Sequence, residues 1–166
     1  MAEKRKLPTK EDMLSMLLKT KEVVVADLET TGFSRNKGAE IIEIGAVRYN
    51  FDTCAQSKFH AYIKPSQKIP QKITDLTGVT MEMVENAPYE EIVLRKFYEF
   101  LGESPVAFHN AQFDWFRFLE PGFNRIGLHA SNFVICTKVL SSWLLPLNGY
   151  QEIGRASCRE RVFRAV

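Results

Sequence analysis

Two acidic residues one residue apart, Asp27 and Glu29, follow directly on the apolar run "VVVA" at 23–26. In extended chain, residues i and i+2 project to the same side. Both carboxylates therefore leave one face of a strand, while Leu28 turns to the other. Two neighbouring carboxylates repel, and burying them without a partner is very costly, so something positive belongs beside them. A pair of hard oxygen donors suits Mg²⁺ or Mn²⁺, which take carboxylates, waters and phosphate oxygens. An isolated pair of this kind is more often two solvated residues at a strand end. Here the apolar run implies a central strand, and Thr30, Thr31 and Gly32 turn the chain at once. A third carboxylate, Asp114, closes the segment "HNAQFD" at 109–114. The short apolar run "PVAF" delivers His109 and Asn110 ahead of it, and a helix starts near Gln112. The helix dipole alone also favours an acidic residue in a first turn.

The elements that must hold these residues can be read from periodicity. Thr9 caps a helix that begins "KEDMLSMLLK", with Met13, Leu14, Met16, Leu17 and Leu18 as its apolar face. Whether that helix meets a partner or packs on the sheet is open, and packing is the simpler expectation. Strands are predicted at 22–29, 41–50 and 57–65, the last ended by Pro65, and their spacing suggests an antiparallel meander. A turn or short helix follows at 69–78. Another helix starts at Thr80 and stops at Pro88. An amphipathic helix over 89–102 places Ile92, Phe97, Phe100 and Leu101 on one side, and Gly102 closes it. After the strand at 105–108, the helix from Gln112 is expected to bend or break at Pro121 and Gly122. A short strand then runs into a helix that ends at Pro146. Three strands followed by alternating helices and strands predict an α/β sheet covered by helices.

Composition limits the classes available. The chain has 166 residues, 45% of them apolar and 25% charged, which fits one globular domain. A net charge of +2 excludes a protein that coats polyanions but not one that grips a single chain end with a few contacts. Cys54, Cys136 and Cys158 are odd in number and widely spaced, which argues against a disulfide framework and for a reducing compartment. The charged start "MAEKRKLPTKED" does not read as a secretory signal, and no apolar run approaches the length of a membrane span. The expected location is cytoplasmic.

"DLETTGF" followed by "HNAQFD" resembles the first two motifs of the DEDD exonuclease superfamily. "IIEIGAVRYN" and "IKPSQKIPQKITDLTGVTMEMVENAP" extend the likeness over roughly residues 20 to 150. It is closest to the exonuclease branch of bacterial DNA polymerase III, both the epsilon subunit and the Gram-positive polymerase. The resemblance implies a ribonuclease-H-like mixed sheet, an antiparallel meander followed by parallel strands, flanked by helices. It implies a 3′–5′ exonuclease of proofreading type that releases nucleoside 5′-monophosphates from a single-stranded 3′ end. DNA is the better expectation, RNA is not excluded, and a polymerase subunit is the implied partner. Asp27, Glu29 and Asp114 match the family's ligands to two Mg²⁺ or Mn²⁺ ions. Thr30, Thr31 and Gly32 match positions that present backbone groups and hydroxyls to the terminal nucleotide, and Phe33 one that stacks on its base. His109 and Asn110 shape the second motif or touch the substrate strand. Leu76, Thr77 and Gly78 would line the nucleotide pocket.

The likeness stops short of a third motif, in which a His precedes an Asp by five residues and serves as general base. No His follows His129 and no Asp follows Asp114, so the tyrosine variant is missing too, despite Tyr150. The expected division is an N-terminal helix at 1–20, an exonuclease domain lacking its third motif at 21–152, and a non-native or unstructured basic tail at 153–166. That tail carries Arg155, Arg159, Arg161 and Arg164. A native nucleic-acid-binding tail or a solvated helix are the alternatives. Loss of a positioned base removes roughly 10²–10⁴ in rate, so a weak or inactive catalyst is expected. Two other functions stay open: a non-catalytic nucleic-acid-binding or polymerase-associated module on the same fold, and a general Mg²⁺-dependent phosphoesterase.

Overall fold

A computed structural model describes residues 6–144. The expected helix end at Pro146 and the basic tail at 153–166 lie outside the described residues.

The alternating apolar pattern of residues 22–30 forms β1 (Glu22–Thr30), the centre of a five-stranded sheet. Its neighbours are β2 (Ile41–Asn50) and β4 (Val106–Phe108), with β3 (Gln56–Tyr62) beyond β2 and β5 (Val134–Cys136) beyond β4. The order is β3-β2-β1-β4-β5, with β1, β2 and β3 antiparallel and β1, β4 and β5 parallel. The meander and the parallel continuation are both as the sequence predicts. Val24, Ala26 and Leu28 face the main core, where Phe97, Phe108, Trp115, Phe118 and Phe123 are fully or almost fully buried. The opposite face of β1 carries Val25, Asp27 and Glu29, none of them buried.

Helix α1 (Lys10–Lys19) is capped by Thr9, whose hydroxyl accepts the Asp12 N–H at 3.1 Å. Met13 is completely buried and its Sδ accepts the Cys136 N–H at 3.3 Å, so this helix packs on β5. The short α2 (Gln71–Thr77) and α3 (Met81–Val84) cover a second, smaller core of Ile42, Ile69, Ile73, Val79 and Val84. Helix α4 (Glu90–Leu101) buries Val93, Leu94, Phe97 and Leu101. Ile92 is 49% exposed, contrary to expectation. It precedes Phe97 by five residues, which at 3.6 residues per turn places it well round the helix.

The helix after β4 departs from expectation in an informative way. It begins with α5 (Ala111–Phe113), widens into a π-helical stretch at Asp114–Leu119, and resumes as α6 (Glu120–Arg125). Pro121 and Gly122 do not break it. The Glu120 N–H bonds to the Trp115 carbonyl five residues back, so the chain is already wound wide when Pro121 arrives. Pro121 then sits at the start of α6, where its missing N–H does least harm. Gly122 is needed for closeness: a Cβ there would lie 2.9 Å from Leu94 Cδ1. Helix α7 (Thr137–Leu144) follows β5 directly. Among the described residues Cys54 and Cys136 are free thiols, and no helix is long and apolar enough to cross a membrane.

Candidate active site

The β1–β2 register sets Asp27 opposite Gly45 and Glu29 opposite Glu43, and the pairing becomes irregular between Glu29 and Thr30. Beyond that point the chain is tied into a turn. The Thr30 hydroxyl donates to the Gly32 carbonyl at 2.7 Å, and the Thr31 hydroxyl accepts the Glu40 N–H at 2.9 Å. The Thr31 N–H reaches the Glu40 carbonyl at 2.8 Å. Phe33 leaves this turn 70% exposed, edge-on to Phe113 with ring centres 6.3 Å apart.

Asp114 arrives from the parallel side. The Asn110 carbonyl accepts the N–H groups of Phe113 and Asp114, starting the helix immediately after β4. The parallel pairing of β4 with β1 brings that helix start beside the end of β1. Asp114 is 4% exposed, and its carboxyl is held well above the usual range. Burial is the main cause and the charge of Asp27 the next; backbone hydrogen bonds at Asp114 and Leu28 oppose the shift, and Glu29 adds a smaller upward push. The three carboxylates therefore act on one another. Among the described residues, however, no three His, Cys, Asp or Glu side chains are gathered tightly enough to hold a metal ion together. That does not exclude a Mg²⁺ fit, because Mg²⁺ is commonly held by one or two carboxylates, with water and substrate phosphate completing its shell.

The other expected residues fall into two groups. His109 is half-buried, with its pKa lowered by burial and by Lys138, and its Nδ1 lies 3.4 Å from the Thr137 hydroxyl. Asn110 is exposed at the helix start. Leu76 is 47% exposed on α2, whereas the Thr77 hydroxyl is bonded to the Ile73 carbonyl and the Val79 N–H. Gly78 takes a left-handed φ of 77°, as the end of α2 requires.

Several residues that periodicity does not single out hold the two carboxylate segments together. Arg117 donates to the Phe33 carbonyl at 2.8 Å and lies over the Phe113 ring. Arg35, two residues past Phe33, pairs with Glu90 at 2.6 Å, and Glu90 also takes Arg125 at 2.7 Å. Arg35 and Glu90 are 13% and 17% exposed, and Arg35 also stacks over Phe118. On the carboxylate face, Glu43 is buried and bonded to His60 Nε2 at 2.6 Å. Only Arg117 left a trace in the sequence, three residues after Asp114 and so on the same side of a helix.

Residues 24–141 match the exonuclease family, RNase T. The chain is 42% identical over 125 residues to the PolC-type DNA polymerase III of Clostridium perfringens, covering 75% of this chain and 8% of that protein. It is 41% identical over 128 residues to the same enzyme of Thermotoga maritima, covering 76% and 9%. The chain thus spans less than a tenth of these relatives. Among solved structures it resembles apo exonuclease I with a TM-score of 0.66 at 15% identity, covering 82% of this chain and 34% of that one. Exonuclease X in complex with 5′ overhanging duplex DNA gives 0.59 at 23% identity, covering 83% and 73%. The nuclease domain of 3′hExo, a DEDDh family member bound to rAMP, gives 0.58 at 22% identity, covering 69% and 64%. At these identities the structures speak for the fold, a mixed five-stranded sheet flanked by helices.

Proposed function

This chain belongs to the exonuclease (RNase T) family, and on that premise we propose that it is the proofreading-type 3′–5′ exonuclease module of a PolC-like polymerase. It would act in the cytoplasm on the single-stranded 3′ end of DNA and release nucleoside 5′-monophosphates. The observation that carries this is Asp114, a nearly buried carboxyl whose ionisation is opposed both by burial and by Asp27. A carboxylate placed against like charge makes physical sense where a cation is to be bound.

Asp27, Glu29 and Asp114 would hold two Mg²⁺ or Mn²⁺ ions. Held by these residues, such ions would supply Lewis-acid activation of a water and charge stabilisation on the phosphate and the leaving 3′ oxygen. The turn at Thr30, Thr31 and Gly32 would present its backbone to the terminal nucleotide, since both hydroxyls are already engaged in holding the turn. Phe33 would stack on the terminal base, and its exposure fits that role. His109 and Asn110 would flank the strand at the helix start. The 166 residues contain no third-motif His or Asp, so a fourth carboxylate and the base are missing from this chain.

The test is a 5′-labelled DNA with a single-stranded 3′ end, incubated with excess Mn²⁺ beside an Asp27→Ala control. A ladder of shortened products that the control abolishes establishes a working exonuclease. A folded chain that binds the DNA but yields no ladder establishes the binding module instead.

A further inference from the structure

Beside the turn that ends β1 lies an open groove of about 420 Å³, between the loop at 31–40 and the segment at 67–70. One wall is the Thr31–Gly32–Phe33 turn, so the groove begins where the strand bearing Asp27 and Glu29 stops. Three charged side chains line it: Lys37, Lys68 and Glu40. Glu40 is already engaged, its two carboxylate oxygens accepting the Ser66 N–H at 3.2 and 2.9 Å and one of them the Ser66 hydroxyl at 2.9 Å. Among the described residues neither Lys37 nor Lys68 is in an ion pair. The groove therefore offers two ammonium groups outside any ion pair and a net charge of +1 once Glu40 is counted.

The loop that forms it is held from beneath. Arg35 is clamped on Glu90, and Arg117 holds the Phe33 carbonyl, so the loop is anchored on both sides of Ser34. Its outer tip turns at Gly38, with φ of 83° and no atom within 4 Å of where a Cβ would lie. Phe33, 70% exposed, lines the groove at the end nearest β1 in sequence.

We propose that this groove carries the nucleic-acid strand immediately 5′ of the terminal nucleotide, with Lys37 and Lys68 each contacting one backbone phosphate. The inference rests on the exonuclease reading above and extends it to residues that the catalytic motifs do not include. A phosphate chain suits the groove because its charge repeats at each nucleotide, which matches two separate cations better than one compact anion does. Ammonium groups on flexible stems grip phosphate without reading sequence, as an enzyme that trims any 3′ end requires.

The experiment uses the full chain with Ca²⁺ and a 5′-fluorescein-labelled oligothymidylate of eight nucleotides, its affinity followed by anisotropy from low to high salt. On single strands each neutralised phosphate contributes about 0.7 to the slope of log K against log salt. The Lys37→Ala/Lys68→Ala double variant is expected to lower that slope by about 1.4 and to weaken binding roughly tenfold or more at low salt. Its melting temperature and its affinity for thymidine 5′-monophosphate should match the parent. An unchanged slope in a parent that binds the oligonucleotide overturns the groove and leaves the exonuclease reading standing. Equal loss for the mononucleotide also overturns it, because the lysines would then serve the terminal pocket. A parent that binds neither ligand overturns both.

Discussion

The two ends of β1 solve the same problem in opposite ways. At its start, Glu22 lies 2.5 Å from Arg48 and accepts the Ser104 hydroxyl at 2.5 Å, and Arg48 reaches on to the Phe100 carbonyl near the end of α4. The Glu22 carboxyl is lowered, by the Ser104 hydrogen bond first and by Arg48 as well, with burial opposing. At its other end, burial raises the carboxyl of Asp114, and Asp27 and more weakly Glu29 push it the same way. An arginine serves this end too, but Arg35 goes to Glu90 at the opposite end of α4. Helix α4 is thus held by arginine at both ends, by Arg48 of β2 at one and by Arg35 of the loop after β1 at the other. Only at the start of β1 does the arginine also neutralise the strand's own acid. At the far end the Arg35 cation is used to fix the scaffold, and Asp27 and Glu29 both act on Asp114. Among the described residues Arg35 Nη1 is also a buried nitrogen without a partner, which marks that end as less completely satisfied.

The comparison can be broken most decisively at the carboxylates. Removing Asp27 should cut any Mn²⁺-dependent cleavage by on the order of 10³-fold, because metal-borne stabilisation is worth several kcal/mol and each 1.36 kcal/mol is tenfold. Glu22→Ala should leave cleavage of the labelled strand within a few fold. Next in size is the clamp. Glu90→Ala strands the largely buried Arg35 and should destabilise the fold by about 3 kcal/mol in urea unfolding. The more exposed Arg48–Glu22 pair, cut by Glu22→Ala, should cost less than about 1 kcal/mol. An equal loss at both would show that the two arginine clamps carry the same weight.

A third test turns on sign. Asp114 binds its proton more tightly folded than unfolded, so its contribution is most favourable below its ordinary pKa. That contribution is lost as pH rises through the raised value. In EDTA at neutral pH, Asp114→Asn should therefore raise the melting temperature by on the order of a few degrees, and flatten its decline with pH. Excess Mn²⁺ should stabilise the parent more than the variant. The smallest expected effect is the mirror image at Glu22. Its lowered pKa stabilises the fold above its ordinary value, and the benefit is lost as pH falls through the lowered one. Glu22→Gln should lower the melting temperature slightly at neutral pH and converge with the parent in acid. A variant that melts higher than the parent at neutral pH would remove the contrast between the two ends.

Much of the geometry around the candidate site was legible in the sequence. Periodicity located β1, β2 and the start of the helix carrying Asp114 within a residue or two. The i, i+2 rule put Asp27 and Glu29 on one face. It misplaced Ile92, and it assigned the helix irregularity to Pro121 and Gly122, when the widening begins at Asp114. The first misreading set Ile92 on a face that 3.6-residue periodicity does not give it, and the second took Pro121 and Gly122 as helix breakers without their surroundings. Ile92 is apolar without being covered, and Gly122 packs so close to α4 that a Cβ there would lie 2.9 Å from Leu94 Cδ1.

The sequence by itself determined which residues share a face and where each carboxylate is presented, because those follow from backbone geometry repeated every two or 3.6 residues. It also determined that no third-motif His or Asp occurs in these 166 residues. Only the tertiary structure decided the electrostatics: that Asp114 is buried against Asp27, that Arg35 finds Glu90, and that Lys37 and Lys68 border one groove. Those depend on distances through space between segments far apart in the chain. Packing sets such distances, and no local pattern encodes them.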